Sequence, residues 1–261
     1  MPSLLSFIVG KMKMMLRCVA GAVCAAMIFT GSNAACAEDL FNSAAYNWGG
    51  IYVGLNAGWV RNNTDWAFQP PIANAPNQSF SLENSAGVLG GQIGLQHQWG
   101  NVVLGVEAAV SDVNIDGGWS QHTGYGIGNS FAETKTGTLV TVGPRLGWAH
   151  GQWLFFGTGG WATADVQTRG EPFSSPGTFF NKTNERQNGW FAGGGVEYAL
   201  SQNVLAGVEY QHVDLGDELH CPGCVPNNTN NHEIGVGMDI VRARLSFKLG
   251  RDEELTAAPL K

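Results

Sequence analysis

The side chains of this chain best suited to chemistry are carboxylates and guanidinium groups that recur at alternate positions within apolar stretches. Paired carboxylates could act as the acid and the base of a glycosidase. Arginines, however, occupy equivalent positions, and a buried charge persists only beside an opposite charge. The pattern therefore predicts no catalytic, cofactor-binding or metal-binding residues, but a network of ion pairs in a closed interior, with gating as the alternative role. Its predicted members are Glu107, Arg145, Glu197, Glu209, Arg242 and Arg244.

The most distinctive local motif is a Cys-x-x-Cys pair, Cys221-Pro-Gly-Cys224, directly after His220. Two cysteines at this spacing can form half of a zinc site, here with His220 and His232 nearby, or a redox pair. In an exported protein, an exposed pair of this kind is expected to be oxidised. We therefore predict a loop disulfide between Cys221 and Cys224, with the zinc site and the redox pair as alternatives.

The elements that must position the charged residues are β-strands. The sequence Gly-Val-Glu-Tyr occurs at residues 195–198 and again at 207–210, on either side of a turn-like Ser-Gln-Asn at 201–203. Apolar and polar residues alternate in both stretches, and period-two alternation around a short turn predicts a β-hairpin. The same pattern predicts eight strands in all, at residues 51–60, 87–99, 102–111, 137–149 and 153–164, two in the hairpin 193–214, and one at 235–249.

Long and short connections alternate between these strands. The short ones are tight turns such as Gly100-Asn101, and the predicted long loops are residues 61–83, 112–136, 165–187 and 214–233. Long loops at one end, tight turns at the other and strands of about 9–11 residues are typical of bacterial outer-membrane barrels. The sequence therefore predicts an all-β fold, an eight-stranded antiparallel up-and-down transmembrane β-barrel over residues 48–250. Pro144, which lacks a ladder donor, predicts a bulge in its strand.

Tryptophans lie near both ends of the predicted strands. Membrane barrels carry such aromatic belts at the two membrane–water interfaces. We assign Trp48, Trp99, Trp148 and Trp153 to the belt at the short turns, and Trp59, Trp161 and Trp190 to the belt at the long loops.

Residues 1–37 have the pattern of a cleaved secretory signal. Basic residues at 11, 13 and 17 precede the apolar stretch 18–29, and Ala35-Cys36-Ala37 has the small-residue pattern of a cleavage site. We predict export to the cell outer membrane, a short periplasmic lead over residues 38–47 and a polar C-terminal tail over 251–261. The excess of 21 acidic over 14 basic residues argues against nucleic acid as a partner.

Several short motifs together carry a resemblance to a known family. They are Trp48–Trp59, Gly90–Gly94, Leu104–Glu107, Pro144–Trp148, Phe156–Gly160, Gly195–Ala199 and Val213–Gly216. With them, the chain from Trp48 to Leu249 resembles the alphaproteobacterial small outer-membrane β-barrels, often called outer-membrane immunogenic or porin-family proteins. The resemblance implies a Gram-negative surface antigen with a structural role in the cell envelope, and haemin binding in some relatives.

The chain departs from that family at two places. Its last strand ends Phe247-Lys-Leu-Gly250, whereas the family usually ends on an aromatic residue that the outer-membrane assembly machinery reads. His212 also stands where the family tends to carry an aromatic residue. Barrel enzymes that act on lipid A use a histidine and a serine, but no serine lies two residues from His212 on its strand.

We therefore predict a non-enzymatic, structural outer-membrane barrel that contributes to envelope integrity and surface contact and requires no cofactor. Its expected partners are outer-membrane lipid, the assembly machinery and an extracellular partner bound through the loops. A small diffusion pore is the alternative, and the packing of the lumen distinguishes it. An outer-membrane enzyme or a haemin-binding surface protein is a further alternative. A serine or an acid beside His212 in the folded protein would favour the enzyme.

Overall fold

A computed structural model describes residues 46–68, 79–115, 119–125, 130–172, 180–220 and 232–249. These residues form nine β-strands and no helix that could span a membrane. The strands are β1 (Gly50–Phe68), β2 (Ser79–Trp99), β3 (Val102–Ile115), β4 (Ser120–Tyr125), β5 (Ser130–His150), β6 (Trp153–Pro172), β7 (Phe180–Ala199), β8 (Val204–His220) and β9 (His232–Leu249).

Eight of the nine strands close into a single antiparallel barrel. Each is bonded to its neighbours along the chain, the ring closes where β1 pairs with β9, and β3 pairs directly with β5. The short strand β4 is the exception, because it pairs with β5 beyond the end of β3, on the same edge of β5 that β3 occupies. The prediction of an eight-stranded antiparallel barrel is therefore confirmed, with β4 as an addition that sequence alternation did not reveal.

Tight turns join the strands at one end of the barrel. Trp99 pairs with Val102, so Gly100 and Asn101 form a two-residue hairpin loop, as predicted. Gly100 has a φ of 57°, a conformation that glycine adopts without steric cost and that two-residue hairpins require. The register runs unbroken past Pro144, which lies opposite Val106 of β3. The bulge predicted at Pro144 is therefore wrong, and the irregularity of this strand lies between Thr136 and Leu139.

In the half of the barrel near the tight turns, apolar side chains face outward and polar ones face the lumen. On β1, Leu55 and Trp59 are 68% and 56% exposed, whereas Asn56 between them is 2% exposed. Successive side chains of a strand point to opposite faces, so one alternating sequence supplies both a lipid-facing surface and a polar interior.

Inward-facing glycines make room for the large side chains of the lumen. A Cβ added at Gly94 would lie 2.3 Å from the ring of Tyr52, and one at Gly207 would lie 2.5 Å from Cγ of Glu197. The glycine-rich inner face is therefore the space into which neighbouring strands project long side chains.

Towards the long loops, the strands continue well beyond their predicted ends. Residues 61–68, 79–83, 165–172 and 180–187 were all predicted as loop but belong to strands, as do parts of 112–136 and 214–233. In these extensions the polarity is reversed: Trp66 and Leu82 are buried in the lumen, while Arg61 and Glu83 are exposed. Outward positions there meet water rather than lipid, so a polar exterior made these segments look like loops.

Candidate functional site

The six charged residues predicted to line the lumen all project into it. Glu107 lies on β3, Arg145 on β5, Glu197 on β7, Glu209 on β8, and Arg242 and Arg244 lie on β9. Each is at most 8% exposed. Three carboxylates and three guanidinium groups from five different strands therefore share one buried space.

Arg244 is the centre of this lumen network, because its guanidinium contacts all three carboxylates. Its Nη1 donates to Glu107 Oε1 at 2.9 Å and to Glu209 Oε2 at 2.6 Å. Its Nε lies 3.2 Å from Glu197 Oε1. Arg242 adds a second bond to Glu209, with Nε 3.0 Å from Oε2. Glu209 therefore contacts both arginines of β9.

Arg145 holds the opposite side of the network. Its Nη2 lies 2.5 Å from Glu197 Oε2, and its Nη1 lies 3.4 Å from Glu107 Oε2 on the neighbouring strand β3. Tyr52 bridges the same groups, donating its hydroxyl proton to Glu107 Oε2 at 2.6 Å and accepting from Arg145 Nη1 at 2.9 Å. Cζ of Arg145 lies 3.7 Å from the centroid of the Phe156 ring, within the range of a cation–π contact.

Tyr52 and Phe156 also belong to this site, although the charge pattern of the sequence does not predict them. Both have the parity of inward positions on their strands: Tyr52 alternates with Ile51 and Val53, which face outward, and Phe156 follows the exposed Phe155. For Tyr52 that alternation was a usable signal. For Phe156 it was obscured, because the glycines that follow in β6 leave the two faces of that strand indistinguishable.

Chemically, this arrangement neutralises charge and fills space. The formal charges of the three Glu and three Arg cancel, and charge-assisted hydrogen bonds link them in a medium that would penalise either alone. Four buried atoms of the network make no hydrogen bond in the described structure: Nε of Arg145 and Arg244, and Oε1 of Glu197 and Glu209. Each of the three carboxylates is engaged by at least one arginine. None is therefore held apart as a free acid or base, as a glycosidase pair would require.

Buried apolar side chains pack in the lumen on both sides of the network. On the long-loop side, 18 buried apolar side chains, including Trp66, Leu139, Phe191 and Met238, form a continuous cluster. On the tight-turn side, Trp48 packs in a second buried cluster that includes Leu154 and Phe156.

Five of the seven tryptophans assigned to the belts lie on the outer surface of the barrel. Trp59, Trp99, Trp148, Trp161 and Trp190 are between 48% and 58% exposed on the outer surface. Trp153 is partly exposed and packs on Tyr198, with ring centroids 4.7 Å apart. Trp48 contradicts the prediction, because it is fully buried inside the lumen. It precedes β1 at an even position, the parity of Tyr52 and Asn56, and that parity directs it inward.

His212 faces outward and lies beside an acid. Its Nδ1 lies 2.9 Å from Asp239 Oδ1, which also accepts the hydroxyl proton of Tyr210 at 2.7 Å. The ring of Trp190 lies 5.7 Å from the imidazole. This is the acidic neighbour that would favour an enzyme. Within the described ranges, however, no serine or threonine hydroxyl is bonded to His212, so the pair lacks a nucleophile.

Cys221 and Cys224 lie outside the described residues, and the loop disulfide stays a prediction. The backbones of His220 and His232 pair between β8 and β9 just before that loop. Among the residues that the structure describes, no group of three His, Cys, Asp or Glu side chains could hold a metal ion. The signal, most of the periplasmic lead and the tail also lie outside the described ranges.

Comparison with known proteins identifies the family. The model of a family described as "Outer membrane protein beta-barrel domain" matches residues 21–240. The chain belongs to this family. The 31 kDa outer-membrane immunogenic protein of Brucella melitensis is 30% identical over 215 residues, covering 78% of this chain and 84% of that protein. The 22 kDa outer membrane protein of Rhizobium leguminosarum is 28% identical over 127 residues, covering 48% and 52%.

The same comparison extends to solved structures. The outer membrane protein OprG from Pseudomonas aeruginosa is 12% identical, with 78% of this chain and 98% of that chain covered and a TM-score of 0.42. With the family established by sequence, two predictions are confirmed: the chain is one of the alphaproteobacterial small outer-membrane barrels, and it resides in the outer membrane.

Proposed function

We propose that this member of the family is a closed, non-conducting barrel that serves the envelope structurally and presents its long-loop end to the cell exterior. The observation that carries the proposal is the lumen network, in which Arg244 hydrogen-bonds to Glu107 and Glu209 and forms an ion pair with Glu197 across the barrel. Long side chains of both signs that meet in this way occupy the space a water channel would need. Eight strands give an interior that side chains alone can fill.

Two features support this role over that of a diffusion pore. The apolar cluster of the long-loop half, which includes Leu139 and Ile234, forms a second closure in series with the network. An apolar cluster offers no hydrogen bonds to a permeating ion or polar solute. The name of the B. melitensis relative, an outer-membrane immunogenic protein, is consistent with exposure of the loop end at the cell surface.

Planar-bilayer recording of the purified protein tests the proposal. We expect no steady conductance from the wild type. Glu209→Ala removes a carboxylate that Arg242 and Arg244 share, and it should produce small, flickering channels or an unstable barrel. Glu83→Ala is the matched control, because that carboxylate is 61% exposed and pairs with Arg61 outside the lumen; it should stay silent. Large, steady conductance from the unmodified protein would refute the closed-barrel role and favour the pore.

A further inference from the structure

The segment that precedes β1 lies in the tight-turn end of the lumen. Residues 46–49 precede β1 and belong to no strand. Trp48 nevertheless lies in the buried cluster of the tight-turn half, with Val103, Leu154, Ala199 and Leu205 from four different strands. The ring of Tyr46 packs edge-on against that of Trp48, with centroids 4.9 Å apart and planes at 74°. The last residues of the predicted periplasmic lead therefore occupy the mouth of the lumen.

Side chains of the wall hold this segment in place. Trp48 N donates to Gln98 Oε1 at 2.7 Å, and Gln96 Nε2 donates to Trp48 O at 2.6 Å. Lys248 Nζ donates to Asn47 O at 2.6 Å. Tyr46 donates its hydroxyl proton to the carbonyl oxygen of Gln202, in the β7–β8 turn, at 2.9 Å. Contacts to β2, to β9 and to that turn thus span the seam where the barrel closes.

We infer that residues 46–48 are a releasable plug that the chain inserts into the periplasmic end of its own lumen. Each of the four hydrogen bonds above involves a side chain, so the segment can leave without breaking a bond of the β ladder. Nε1 of Trp48 is buried and has no hydrogen-bond partner in the described structure. A buried donor without a partner costs free energy, and it favours a plug that can exchange over one locked in place.

Release of the plug would expose a pocket rather than a pore. The apolar side chains around Trp48 would line its walls, and Phe156 with the stacked Arg145 would form its floor. The network and the apolar cluster beyond it would still close the barrel. Release of the plug therefore need not make the protein conduct. It should instead make the side chains around Trp48 accessible to reagents that enter from the tight-turn end.

Thiol labelling of full-length mature protein measures that accessibility. Cys221→Ser and Cys224→Ser remove the loop thiols, and Ala199→Cys places a reporter beside Trp48, at a position that is 1% exposed. With the plug intact, a charged, water-soluble methanethiosulfonate reagent should label this reporter slowly. Trp48→Ala should raise the rate at least about tenfold, since tenfold needs only about 1.4 kcal/mol. Trp48→Phe, which keeps an aromatic ring without the unpaired N–H, should restore protection.

Two further variants separate release of the plug from general loosening. Lys248→Met removes the bond to Asn47 but keeps the length of the side chain, so it should accelerate labelling even if Trp48→Ala folds poorly. A reporter from Ala162→Cys, buried in the apolar cluster of the other half, should stay protected in every variant. Equal labelling of the position-199 reporter with and without Trp48 would overturn the inference. A parallel rise at position 162 would also overturn it.

Discussion

Replacing Arg244 by methionine should be the most damaging single change in the lumen. Arg244 contacts all three carboxylates of the network, so Arg244→Met leaves three Glu facing two Arg. Removing one partner of a buried ion pair costs about 3–5 kcal/mol, because the other charge stays buried and unpaired. With an m-value of about 2 kcal/mol per molar urea, a loss of about 4 kcal/mol would lower the unfolding midpoint by about 2 M.

The measurement is urea-induced unfolding in lipid vesicles, followed by tryptophan fluorescence in both directions. After Arg244→Met, the pairs Arg145–Glu197 and Arg242–Glu209 remain and Glu107 carries the excess charge. Glu107→Gln in the Arg244→Met background restores a neutral network, so the double variant should recover much of the loss, as in a double-mutant cycle. Arg61→Met removes an arginine whose pair with Glu83 is solvent-exposed, and its midpoint should not shift measurably. The reasoning fails if Arg244→Met unfolds like Arg61→Met, or if the double variant is no more stable than Arg244→Met.

Two further predictions concern the inner face and the loop cysteines. Gly94→Val should destabilise the barrel, because its Cβ would lie 2.3 Å from the Tyr52 ring, and a larger fraction of the unheated protein should then migrate as the unfolded band on a detergent gel. Gly237→Ala is the control, because nothing lies within 4 Å of its Cβ, and it should migrate like the wild type. Cys221 and Cys224 should react with a thiol reagent on intact cells only after reduction, and labelling without reductant that zinc blocks would indicate a metal site instead.

The sequence was informative wherever alternation and chain order determine position. Antiparallel neighbours place Glu209 beside β9 and Glu107 beside β5, and those ion pairs follow from parity alone. Contacts across the lumen do not follow from it. Arg244 meets Glu107 from strands that are not neighbours, and that contact depends on the barrel's diameter and on side-chain conformation.

The predicted strand ends are wrong for one physical reason, which is that the polarity of the barrel's exterior changes along each strand. Strand ends were placed where polar residues became frequent, but the wall continues into water, where Asp65 faces outward and Trp66 inward. Trp48 was assigned to a belt because it lies near a strand end. Parity would have directed it inward. The polarity of a segment's outward residues depends on whether water or lipid surrounds it, whereas alternation depends on strand geometry. Alternation therefore predicts the strand ends better than polarity does.

The length of the strands has a practical consequence. β5 contains 21 residues, and at a rise of about 3.3 Å per residue and a tilt of about 40° it reaches a height of roughly 50 Å. A barrel's apolar band is about 25 Å tall, so a detergent micelle or nanodisc would surround only about half the height of the barrel wall. The rest of the wall is exposed to water and encloses an apolar core. It could form lattice contacts in crystals, and it could carry grafted epitopes above the membrane surface.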